Sequence, residues 1–131
     1  MPVSVYRVSE AAELLGVSDD TVRRWIDGGR LESSTEAGRT VVPGEALARL
    51  AVELSAAPDP QRARAVSARN RLLGLVTKVT KDQVMAQVEL ICGPYRIVSL
   101  MSAEAAEELG LMPGVTAVAS IKSTNVVVER P

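Results

Sequence analysis

The sequence predicts an α+β chain of two domains, the first mostly helical with a short β wing, the second a five-stranded β-barrel with one short helix. Three observations carry this. Apolar residues recur at helical spacing as far as Leu54, and beyond Leu72 they alternate with polar ones. Between these regimes lies "SAAPDPQRARA" (55–65), whose two prolines cannot continue a helix or a sheet ladder. It reads as a linker between a domain at 1–54 and a domain at 66–131.

In the first domain, Ser9 is suited to cap a helix over "EAAELLG", with Gly16 as its stop. Ser18 then caps "DDTVRRWIDGG", where Val22, Trp25 and Ile26 fall at i, i+3 and i+4 and share one buried face. Thr21, Arg23, Arg24 and Asp20 are turned outward. Ala12, Gly16 and Val22 have helix-turn-helix spacing: the alanine lets two helices approach, and the glycine makes the turn between them. "GGRLESSTEAGRTVVP" supplies two short strands around a glycine turn, and "GEALARLAVEL" a closing helix.

The second domain opens on "SARNRLLGLVTKVT". "VMAQVELIC", a turn at Gly93-Pro94, and "YRIVSLM" follow with alternating apolar positions. Ser102 caps a short helix over "AEAAEELG", closed by Gly110, and "TAVASIK" and "NVVVER" complete five strands. Five strands and one helix fit an OB-like barrel. So small a barrel has a thin core, which favours burial against other copies.

Composition narrows the chemistry. The 131 residues include no histidine and one cysteine, Cys92, so neither an intrachain disulfide nor an imidazole–thiolate metal site can form. A nucleophile–histidine pair is equally impossible, and no phosphate-binding loop follows a strand. The chain therefore reads as a non-enzyme with no catalytic residues, no cation site and no cofactor. Its apolar runs are too short to span a bilayer, and "MPVSVYRVSEAAELL" lacks a basic start followed by an apolar core. A cytoplasmic protein that does not enter membranes is expected.

The N-terminal stretch, about Val5 to Leu54, resembles the excisionase/MerR-type winged helix-turn-helix. The resemblance implies a second helix in the major groove of double-stranded DNA and a wing on the backbone. On these residues it places Thr21, Arg23 and Arg24 at bases or phosphates, and Arg30 and Arg39 at phosphates of the hinge and wing. Residues 1–57 carry six arginines against nine acids, a net charge of −3, so one copy binds DNA weakly and several copies on one duplex are expected to supply affinity. A helix-turn-helix used for protein contacts alone is the competing use.

"SARNRLLGLV", "MSAEAAEELGLMPG" and "SIKSTNVVV", in that order from about Val66 to Glu129, resemble the molbindin (Mop, or TOBE) domain. The resemblance implies a homo-oligomer of strand-exchanging dimers, grouped as a hexamer (a trimer of dimers), that binds molybdate or tungstate between subunits. A dimer is the alternative, because six appended DNA-binding domains could restrict assembly. Its anion contacts fall on Ser67, Arg69, Lys122 and Ser123, with Ser102 at a hydroxyl position and backbone amides near Ala68, Ala103 and Lys122. Some members have alanine where Ser123 stands, and "CGPYR" departs from the usual glycine-rich hairpin.

The donor set agrees with that ligand. One guanidinium, one ammonium and two or three hydroxyls, with no carboxylate, suit a fully deprotonated tetrahedral oxyanion. Hydrogen phosphate is disfavoured because its proton needs an acceptor, whereas sulfate is excluded only by pocket size. The leading expectation is an oxyanion-sensing transcriptional regulator. An intracellular molybdate store is the second reading, and a barrel serving only oligomerisation is the third.

Overall fold

The computed structural model describes residues 4–55 and 59–131. The chain divides into two compact units, Met1–Ala57 and Pro58–Pro131.

The first unit runs β1 (Val5–Arg7), α1 (Val8–Leu15), α2 (Asp19–Asp27), β2 (Ser34–Glu36), β3 (Arg39–Pro43) and α3 (Gly44–Leu54). Its antiparallel sheet has the order β1-β3-β2. Helix α1 starts two residues earlier than expected: the Glu10 carboxylate accepts the Arg7 amide at 2.9 Å, so Arg7 is the cap and Ser9 lies within the first turn. Gly16 ends α1 in the left-handed conformation (φ 69°). Ser18 caps α2 as anticipated, its hydroxyl accepting the Thr21 amide at 3.2 Å. Ala12 and Val22 are both buried in a core with Val8, Leu31, Val42 and Leu47, and Trp25 and Ile26 pack against it. The wing turn places Ala37 (φ 50°) and Gly38 (φ 76°) both in left-handed backbone, the geometry of a two-residue type I′ hairpin. Strand β1 is an addition to the expected wing; it pairs Arg7 with Val41.

The second unit runs α4 (Pro60–Ala65), β4 (Asn70–Lys81), β5 (Met85–Cys92), β6 (Tyr95–Ser102), α5 (Ala103–Glu108) and β7 (Thr116–Ile121), then a 3-10 turn over Ser123–Asn125. The sheet order is β6-β5-β4-β7. Two expectations are corrected here. The stretch expected to be linker carries helix α4: Asp59 accepts the Gln61 amide at 2.9 Å, and Pro60 occupies the first turn, where the missing N–H costs nothing. Residues 56–58 of the expected linker lie outside the described residues. The fifth strand expected over "NVVVER" is not formed, and the sheet has four strands among the described residues. A strand needs a ladder partner, and within the single chain the tail pairs with neither open edge of the sheet, β6 or β7. Val127 and Val128 are left 90% and 88% exposed.

The sheet curls around Val76, Val88, Leu90 and Cys92. Gly74 permits its tight closure, since a Cβ there would lie 2.6 Å from Cys92 Sγ and 2.8 Å from the Ile91 carbonyl oxygen. Strands β6 and β7 line an apolar groove of about 420 Å³ that includes Ile97, Met101, Leu111, Ala117, Ala119 and Ile121. Among the described residues, no helix is long and apolar enough to cross a membrane.

Candidate functional site

In the second unit the antiparallel register places the start of β4 beside the end of β7, with Asn70 opposite Ile121. The Asn70 side chain reinforces the pair by donating from Nδ2 to the Ile121 carbonyl at 3.1 Å. Ser67 and Arg69 lead into β4, and Lys122 and Ser123 follow β7, so these four exposed residues flank one strand pair. Lys122 caps the 3-10 turn, its carbonyl accepting the Asn125 amide at 2.9 Å. Arg69 Nη1 donates to the Val66 carbonyl at 2.7 Å. A guanidinium has five N–H donors, so this bond leaves Arg69 able to meet an anion as well.

Ser102 arrives differently. It ends β6 opposite Met85, at the other end of the β4–β5–β6 ladder. Its oxygen accepts the Ala105 amide at 3.0 Å as the cap of α5, which leaves the hydroxyl proton to donate. The Ala103 amide, expected among the anion donors, is already spent on the Val84 carbonyl at 2.8 Å. Among the described residues, no hydrogen bond joins Ser102 to the other four.

Sequence reasoning missed Arg62. From α4, its Nη1 donates to the Ala68 carbonyl at 3.1 Å and its Nη2 to Ser120 Oγ at 2.8 Å. The only signal was an arginine a few residues before "SARN", and the prolines beside it pointed to linker instead.

In the first unit the five candidate DNA contacts separate into groups. Arg23 on α2 and Arg39 on β3 line one cleft of about 500 Å³. Arg7 lines it too, and sequence reasoning did not single it out, because only the β1–β3 pairing brings it beside the wing. Asp19 and Asp27 on the same walls temper the positive charge. The Arg7 amide and then its guanidinium hold the Glu10 carboxyl below its ordinary range. Thr21 and Arg24 form a separate pair: Arg24 Nη2 donates to Thr21 Oγ1 at 3.1 Å, and Thr21 shares a hydrogen bond with Ser18 Oγ at 3.0 Å. Arg30 lies apart from both, 3.9 Å from Glu53.

Comparison with known proteins places these features in a family. A TOBE domain model matches residues 66–128, and a helix-turn-helix domain model matches residues 5–52. Molybdenum-pterin-binding protein 1 of Clostridium pasteurianum is 42% identical over 64 residues, covering 48% of this chain and 94% of that protein. The chain belongs to the molbindin (TOBE-domain) family. Its molbindin domain is joined to a helix-turn-helix domain. Molybdenum-pterin-binding protein MopA of Rhodobacter capsulatus is 36% identical over 104 residues, 76% of this chain and 37% of that protein. That alignment is too long to fit inside the second unit alone. Among solved structures, MopII from Clostridium pasteurianum matches at 39% identity and a TM-score of 0.47, covering 50% of this chain and 98% of that one.

Proposed function

We propose that this molbindin is a molybdate- or tungstate-binding transcriptional regulator, with a DNA-binding domain at 1–54, a joint at 55–65 and an oxyanion-binding domain at 66–131. The observation that carries the reading is the Asn70–Ile121 register: the segment with Ser67 and Arg69 enters, and the segment with Lys122 and Ser123 leaves, the same end of the β4–β7 pair. These side chains offer hydrogen-bond donors and positive charge with no carboxylate, which suits a fully deprotonated oxyanion. The relatives named for molybdenum-pterin binding favour molybdenum as its central atom.

The reading extends to assembly. The groove between β6 and β7 lacks a strand, and each chain carries an unpaired, valine-rich tail after Asn125. The tail of a second copy fits that groove as the fifth strand, which gives a strand-exchanged dimer, and three dimers give the hexamer. Ser102 joins the clamp through this assembly. On DNA, Arg23 and Arg39 meet the backbone across their shared cleft, while Thr21 and Arg24 work from the exposed side of α2 and Arg30 from the hinge. An anion held between subunits acts by binding one arrangement of the assembly more tightly than another, and so changes the spacing of the DNA-binding domains. The protein works in the cytoplasm as a binding protein, not an enzyme.

Calorimetric titration with molybdate tests the anion half. Wild-type chain is expected to give saturable heat that Arg69→Ala and Lys122→Ala each reduce by at least tenfold in affinity. No heat from the wild type, or unchanged heat from both variants, refutes it.

A further inference from the structure

We infer that Arg62 is a positioning residue of the anion clamp, holding its two segments in register from helix α4; this rests on the anion reading above. Arg62 lies outside the 66–128 stretch matched by the TOBE model, on a helix that precedes it. Its guanidinium nevertheless reaches both halves of the clamp, at Ala68 and at Ser120, which are 52 positions apart in the chain.

Each contact acts on a clamp residue through the backbone. The carbonyl of Ala68 and the N–H of Arg69 belong to one planar peptide and point in opposite directions. Pinning that carbonyl at 3.1 Å therefore aims the Arg69 amide and fixes the start of its side chain. Ala68 is 7% exposed, so the bond is shielded from competing water. On the other side, Ser120 pairs with Arg71 and stands two residues before Lys122. Holding Ser120 Oγ at 2.8 Å steadies the end of β7 from which Lys122 projects.

The geometry calls for arginine. Two NH₂ groups on one rigid plane set a fixed spacing between the two acceptors, whereas a lysine presents a single nitrogen on a flexible stem. The clamp answers in the other direction as well, since Arg69 donates to the carbonyl of Val66, the residue that ends α4. Anion occupancy and the docking of α4 are therefore linked, each favouring the arrangement that the other selects.

The test is calorimetry of the full chain with molybdate alone, on wild type, Arg62→Ala, Arg62→Lys and Ser120→Ala. Partners that orient a binding group from behind are worth about tenfold or more in affinity, so Arg62→Ala is expected to weaken binding about tenfold. Arg62→Lys stays weakened, because one ammonium cannot bridge both acceptors, and Ser120→Ala weakens binding about threefold. Amide exchange at Arg69 in the ligand-free chain is expected to quicken in Arg62→Ala while the β5–β6 ladder is unchanged. Wild-type affinity in Arg62→Ala or in Ser120→Ala overturns the inference. Full recovery in Arg62→Lys also overturns it, since charge alone would then suffice. Failure of the anion reading looks different: the wild-type chain itself gives no heat, and the assignment falls with it.

Discussion

Ending the chain at Asn125 removes the tail that is expected to complete a partner's sheet, and its cost can be worked from exposure. In an extended tail Val126 and Val128 lie on one face, because side chains alternate. They are 45% and 88% exposed in the single chain. Burying a whole valine side chain contributes about 1.5 kcal/mol at the low end. Scaled by these exposures, one tail contributes about 2 kcal/mol and the two tails of a symmetric dimer about 4 kcal/mol. The ladder hydrogen bonds are taken to offset the ordering of the tail backbone. A difference of about 4 kcal/mol is about a thousandfold in the dissociation constant. Sedimentation velocity over a dilution series reads this directly. The full chain should remain assembled at concentrations about a thousandfold below those at which the truncated chain falls to monomer. Equal masses for both at every concentration refute the exchange.

Three further outcomes follow from local geometry. Gly74→Ala forces a methyl to within 2.6 Å of Cys92 Sγ and 2.8 Å of a backbone oxygen, so thermal denaturation should show a loss of about 1–3 kcal/mol. Ala37 sits at φ 50° in the wing turn, where glycine carries no steric penalty, so Ala37→Gly should stabilise the first unit by up to about 1 kcal/mol in denaturant titration. The amides of Met85 and then Val84 hold the Asp82 carboxyl below its ordinary 3.8. The folded state therefore favours the ionised form: its contribution is present above pH 3.8 and fades as pH falls through the lower folded value. Acid titration of the melting temperature should lose this part of its slope in Asp82→Asn.

Much of this was legible because local chemistry and tertiary structure agree. Ser18 and Ser102 cap the helices that follow them, and Ala12 and Val22 meet in the core as their spacing requires. The pairing of the clamp segments follows from β4 and β7 being neighbours, which the strand order alone did not dictate. What escaped depends on distant or missing partners. Arg7 joins Arg23 and Arg39 only through the β1–β3 ladder. Arg62 was hidden because proline reads as a helix breaker, although at the first turn it is compatible with a helix. "NVVVER" has the β-branched run of a strand, but a strand exists only where another chain segment accepts its hydrogen bonds. The split among the DNA candidates was also invisible, since Arg30, in the loop after α2, stands beside Glu53 of α3.

In the proposed regulator, anion occupancy in the second unit changes the DNA affinity of the first. The most direct measurement is fluorescence anisotropy of the full chain on duplex DNA from the control region of its own operon. It is titrated at one fixed salt concentration, with and without saturating molybdate. DNA binding is expected to saturate, with a dissociation constant that shifts by at least about fivefold when molybdate is present, the lower range of allosteric coupling. The same shift should be absent in Arg69→Ala. Identical DNA affinity with and without molybdate, in a chain that binds both, would contradict it.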